Sequence, residues 1–171
     1  MTERPDKRAI ASWAFYDFAN TIFSMNVISL YFALWVTVDH GGEDILYSIA
    51  LSGSMLAVAI SAPVFGTISD QTGRRRFPLI LLTIISVFAT ALIGQASQLW
   101  IGLLLFVIAN YCYQSALVFY NGMLPSVARQ SNVGMISGYG VALGYIGSIA
   151  GLSLVEPFVT DGGRSAAFLP T

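Results

Sequence analysis

Residues Phe77 to Ala128 read FPLILLTIISVFATALIGQASQLWIGLLLFVIANYCYQSALVFYNGMLPSVA, 52 positions without one Asp, Glu, Lys or Arg. As a single helix rising about 1.5 Å per residue, this stretch would be about 78 Å long. A bilayer's hydrocarbon core is only roughly 30 Å thick. The chain must therefore turn back inside the stretch, and Ala96-Ser97-Gln98, just before Trp100, is its most polar break. On either side, Phe18–Val38, Ile45–Ser69 and Gln130–Val155 are also free of charge, with 21, 25 and 26 residues. The expected fold is an all-α integral membrane protein with five transmembrane helices, at about 12–38, 45–68, 78–96, 99–123 and 134–156. Residues 1–11 form a short segment before the first helix, and 157–171 an outer loop leading into the start of a sixth helix.

Composition gives the same answer by another route. Of 171 residues, 56% are hydrophobic and 10% charged, and the mean hydropathy is +0.71. A soluble domain carries about a quarter charged residues to cover its surface, so a water-soluble enzyme is excluded. Abundant aromatic side chains exclude disorder. A net charge of −1 offers no basic field to a nucleic acid. The single cysteine, Cys112, and single histidine, His40, supply neither a disulfide nor a zinc spacing. No glycine run ends in the Lys-Ser/Thr of a phosphate-binding loop, so neither cofactor nor metal is expected.

Arginine and lysine positions set the expected orientation. Arg4, Lys7 and Arg8 precede the first helix, Arg74, Arg75 and Arg76 join the second and third, and Arg129 joins the fourth and fifth. These segments share one side and hold seven of the eight basic residues, which puts the N-terminus in the cytoplasm. The other side carries the acidic loop Asp39–Asp44 and Arg164.

The turn between helices 2 and 3 reads Gly66-Thr67-Ile68-Ser69-Asp70-Gln71-Thr72-Gly73-Arg74-Arg75. Gly66 permits a close helix approach, Asp70 can accept from backbone N–H groups or an arginine, and Gly73 permits the positive φ of a tight turn. A positive-inside anchor alone explains the arginines but not Gly66 and Asp70. The pattern resembles the major facilitator signature G-x-x-x-D-(R/K)-x-G-(R/K)-(R/K), with Gln71 standing where that family has a basic residue. The resemblance implies a gating loop of Gly66, Asp70, Gly73, Arg74 and Arg75 that latches two transporter halves together.

Further motifs narrow the branch. They are Trp13-Ala14-Phe15-Tyr16-Asp17-Phe18-Ala19-Asn20, Phe119-Tyr120-Asn121 with Leu124-Pro125, and Ser137-Gly138-Tyr139-Gly140 through Gly144-Tyr145-Ile146-Gly147. In order and together they resemble the major facilitator branch that includes the autophagy-related vacuolar amino-acid effluxer. That resemblance implies five helices of an N-terminal six-helix bundle, belonging to a secondary transporter of small organic solutes such as amino acids. It also implies a bacterial inner-membrane location, a C-terminal half as partner, and coupling to a solute or proton gradient. Helices 1 and 4 would line the path and helix 3 would lie peripherally. The chain then reads as the N-terminal piece of a longer protein.

Ionisable and polar groups inside spans are costly and mark function. Asp17, Asn20, Thr21 and Ser24 follow i, i+3, i+4, i+7 spacing, a polar stripe on helix 1. Asp17 either binds a proton or a substrate amine, or simply complements the helix dipole. On helix 4, Asn110 and Gln114 are candidates for the substrate path, against a role as interhelical hydrogen-bond glue. Gly140, Gly144, Gly147 and Gly151 give helix 5 a smooth face for helix packing. Pro63 is expected to bend helix 2, and Glu156-Pro157 to end helix 5. The competing function is a non-transporting multi-pass scaffold assembling through that glycine face. A membrane-embedded enzyme has less support, because no Ser–His pair or His/Asp/Glu cluster converges at one depth.

Overall fold

The computed structural model describes residues 7–128 and 131–171. Arg4 and Arg129, two of the basic residues that set the expected orientation, lie outside the described residues. Five helices are long and apolar enough to cross a membrane: α1 Lys7–Asp39, α2 Asp44–Thr72, α3 Arg76–Ile93, α4 Leu99–Val127 and α5 Val133–Gly162. Among the described residues there is no strand. With no water in the hydrocarbon to satisfy the backbone, continuous helices are the structure this composition dictates. The tight turn after Ile93 divides the 52-residue apolar run into α3 and α4.

Two differences from the expected ranges have clear causes. The fifth helix does not stop at Glu156-Pro157 but continues to Gly162, and Gly163 ends it with φ +75°. Proline within a helix removes one backbone donor, and here the helix runs on past it, ending where a glycine adopts a positive φ. No sixth helix begins in the tail; Arg164–Phe168 forms one 3-10 turn that folds back on the bundle. Its Phe168 is 1% exposed against Phe32 and Trp35, and Arg164 pairs with Asp39 at the end of α1.

The bundle is a pair of helices beside a trio. α1 packs along α5, α3 packs along α4, and α2 packs on the other flank of α4. Direct contact between α4 and α5 is slight. Aromatic packing ties α1 to α4 at both ends. At the arginine-rich end the Trp13 and Tyr120 rings stack at 4.6 Å, and the Tyr120 hydroxyl donates to the Trp13 carbonyl at 3.2 Å. At the opposite end Phe32 stacks on Phe106 at 4.1 Å. There the Trp35 ring fills the space that a side chain at Gly102 would need. Between these ends α1 is π-helical over Ser24–Tyr31, and it is π-helical again in its last turn over Trp35–Asp39.

All four glycines of the α5 face are buried against α1. A Cβ at Gly147 would collide with the Phe18 carbonyl oxygen, and one at Gly151 would lie 2.9 Å from the Ile22 side chain. The glycine face through which the scaffold alternative would assemble is therefore occupied by α1. Large apolar residues exposed on α2, α3 and α5, such as Ile60 at 70%, Phe88 at 65% and Ile149 at 70%, suit contact with lipid or with further transmembrane helices.

The packing predicts unequal tolerance of methyl groups. Gly147→Ala should lower the stability of the detergent-solubilised chain by about 1–3 kcal/mol, because the obstacle is backbone that cannot rotate away. Gly138→Ala, whose added Cβ meets nothing within 4 Å, should change it by less than about 0.5 kcal/mol. Thermal unfolding followed by tryptophan fluorescence checks both.

Candidate functional site

The polar stripe of helix 1 is shared between two neighbours. Asp17 and Thr21 turn toward α5. An Oδ of Asp17 lies 3.1 Å from the position of a Cβ at Gly144, and Thr21 Oγ1 lies 2.8 Å from the same point. Only glycine leaves room there for a carboxylate and a hydroxyl. Thr21 Oγ1 donates to the Asp17 carbonyl at 2.7 Å, and both residues line a shallow groove of about 180 Å³ with Tyr145 and Ser148. Asn20 faces the other way, into a cavity of about 130 Å³ between α1, α3 and α4. Four residues at i, i+3, i+4, i+7 cover a sector about 100° wide, enough to meet two packed helices. Ser24 is half-buried at the start of the π-helical stretch, where its carbonyl accepts from the Ser29 hydroxyl at 3.0 Å.

The two candidates on α4 sit differently. Asn110 is wholly buried and donates to Ser54 of α2 at 2.7 Å. Its position is that of a bond between helices, worth about 0.6 kcal/mol on average in membrane proteins. Gln114, one turn on, is half-buried and makes no side-chain hydrogen bond among the described residues.

Several polar groups in these regions were not singled out from the sequence. Thr83, Ser86 and Thr90 of α3 line the Asn20 cavity together with Tyr16 and Tyr113. Tyr16 and Thr83 share a 2.9 Å hydrogen bond, and Ser86 donates to the Ala109 carbonyl at 3.0 Å. Their i, i+3, i+7 spacing was a readable signal, since it places all three on one helical face. Asn26 is 0% exposed beside Gly151, and neither atom of its carboxamide has a hydrogen-bond partner. No sequence rule would have placed Asn26 there, because the π-helical turn changes which residues face α5.

The signature turn has a definite geometry. Gly73, at φ +64°, caps α2, and its N–H donates to the Ser69 carbonyl at 3.0 Å. Arg75 then reaches back, donating from Nε to Ser69 Oγ at 2.9 Å and from Nη2 to Asp70 Oδ1 at 2.9 Å. Gly122 of α4 lies beneath it, the position of an added Cβ being 3.5 Å from Arg75 Nε. Asp70 is itself 77% exposed in the pair, so the ion pair adds only about 0–1 kcal/mol. Gly66 was expected to admit a close neighbour, yet among the described residues nothing lies within 4 Å of a Cβ added there. Arg74 is exposed as well. Among the described residues no group of three His, Cys, Asp or Glu side chains could hold a metal.

These placements predict different reactivities. In a Cys112→Ser background, Asp17→Cys at its groove should react with a water-soluble maleimide in the solubilised chain. Asn110→Cys, in the sealed α2–α4 contact, should remain unlabelled until the protein is denatured. The yield of labelled protein on a gel is the readout.

Comparison with known proteins adds to this geometry. Residues 44–135 match the family described as "Vacuole effluxer Atg22 like". An uncharacterized protein of Aquifex aeolicus is 31% identical over 155 residues, which covers 89% of this chain and 40% of that protein. The MFS-type transporter YxiO of Bacillus subtilis, itself uncharacterized, is 31% identical over 148 residues, covering 80% of this chain and 34% of its own length. The chain thus spans well under half the length of these curated relatives. No solved structure matches it. With more than half of its residues inside the family match, and with the apolar helices to go with it, this multi-pass membrane chain belongs to the Atg22-like vacuole effluxer family, related to the major facilitator transporters.

Proposed function

We propose that the chain forms the first half of a secondary active transporter that moves small organic solutes, amino acids foremost, by alternating access. It pairs with a second, C-terminal half around a site near the bilayer midplane, and the two halves rock against each other. The observation that carries this reading is the Asp17 carboxylate, set in a groove between α1 and α5 where only glycine gives it room. A charge held within a span is costly and is retained where it binds or moves something. Asp17 would take a proton or a substrate amine. Asn20, Thr21, Ser24, Asn110 and Gln114 would belong to the path, with Asn110 supporting its wall through Ser54.

Gly66, Asp70, Gly73, Arg74 and Arg75 form the gating loop in this reading. The open space at Gly66 and the exposure of Asp70 are what a second half would fill and pair with. The N-terminus is cytoplasmic by the positive-inside rule, and a bacterial inner membrane suits the bacterial relatives. The protein acts as a transporter and not as an enzyme.

The test is exchange of a radiolabelled amino-acid mixture in proteoliposomes made with the complete product of the gene. Saturable flux is expected, falling at least tenfold in Asp17→Asn with membrane insertion unchanged. Normal flux in that variant would remove Asp17 from the mechanism. Absence of flux for every amino acid tested would favour a non-transporting scaffold.

A further inference from the structure

At the arginine-rich end of the bundle, two cavities open side by side and share Ala9, Arg76, Met123 and Val127. One, of about 440 Å³, lies between the start of α1, the start of α3 and the end of α4. The other, of about 530 Å³, lies between the α2–α3 turn and the end of α4. Arg76 stands between them, with Arg8 lining the first and Arg74 the second. The three arginines of the turn behave differently. Arg75 is spent inside the protein on Ser69 and Asp70. Arg74 and Arg76 are exposed, and among the described residues neither side chain has an acidic partner.

The rest of the cleft is apolar and aromatic. Trp13, Leu79 and Tyr120 back the first cavity, and Phe77, 72% exposed, lines the second. Down the outside of α3 the surface stays greasy, with Ile80 at 56%, Ile84 at 46% and Phe88 at 65% exposure. Cations at the mouth of a cleft, with an apolar wall running on toward the bilayer centre, match a molecule with an anionic head and hydrocarbon tails. Basic pockets between transmembrane helices at a membrane surface bind such head groups. An arginine that served only as an orientation anchor would need no cavity beside it.

We propose that this cleft is a binding site for an anionic phospholipid. Arg76 and Arg74 hold its phosphodiester, while its acyl chains lie along the exposed face of α3. The bound lipid would fasten the α2–α3 turn to the start of α1 and the end of α4, the three segments that bear the basic residues. The inference is independent of whether the protein transports.

Native mass spectrometry of the purified chain, released from mixed phosphatidylglycerol and phosphatidylcholine micelles, tests it. One phosphatidylglycerol should be retained in preference to phosphatidylcholine. The preference should fall about fivefold for each of Arg76→Gln and Arg74→Gln, the effect of one basic side chain near a charged lipid surface. Arg76→Lys should keep most of it and so separates loss of charge from misfolding. Arg164→Gln, an equal charge change at the opposite end, should leave it intact. Equal retention of the two lipids would overturn the site, as would a loss in Arg164→Gln matching that in Arg76→Gln. Displacement of the lipid by millimolar inorganic phosphate would also overturn it, by showing a site for phosphate alone.

Discussion

Close backbone contact between α1 and α5 is the constraint on which the rest of the molecule depends. In lipid there is no hydrophobic force to bring helices together, so association rests on packing, and small residues allow it. Gly140, Gly144, Gly147 and Gly151 let α1 approach until the Phe18 carbonyl lies against α5. That approach fixes where Asp17, Thr21 and Asn26 stand, since all three meet the glycine face. Asn26 sits in it with an unsatisfied carboxamide, a burden of order 1–3 kcal/mol for a buried polar group. The seam between these helices therefore combines close packing with buried polar groups.

The other half of the architecture is held by different chemistry. α4 binds α2 and α3 through hydroxyl and amide groups, with Asn110 on Ser54, Tyr111 on Ser61 and Ser86 on the Ala109 carbonyl. It meets α1 mainly through rings, at Trp13–Tyr120 and at Phe32–Phe106. These two aromatic clamps leave the middle of α1 free to keep its π-helical turns. Tyr47 of α2 supports that region by donating to the Ile28 carbonyl at 2.7 Å. π-helical turns are rare and recur at functional sites. Here the first, Ser24–Tyr31, begins at the last residue of the polar stripe of α1.

Much was legible in the chain itself. A 52-residue run without charge has to fold back, because no bilayer is thick enough for it. Gly73 announced the end of α2 through the backbone freedom it alone has there. The glycine spacing on helix 5 marked a packing face, since residues at i, i+4, i+7 and i+11 share one side of any helix. What could not be read was the partner of that face. Spacing on one helix says that something comes close, but not which helix does.

The sequence by itself determined five apolar helices, their alternation across the membrane and which residues share a face, for these follow from local periodicity and the thickness of lipid. Only the tertiary structure decided that the glycine face receives α1, that Asp17 and Asn20 part toward different neighbours, and that Asn110 closes on Ser54. It also decided that Phe168 folds back onto the Phe32 and Trp35 rings. These outcomes depend on contacts between residues far apart in the chain. Such contacts are set by how the helices cross and by the shapes that meet there, and no single helix carries that information.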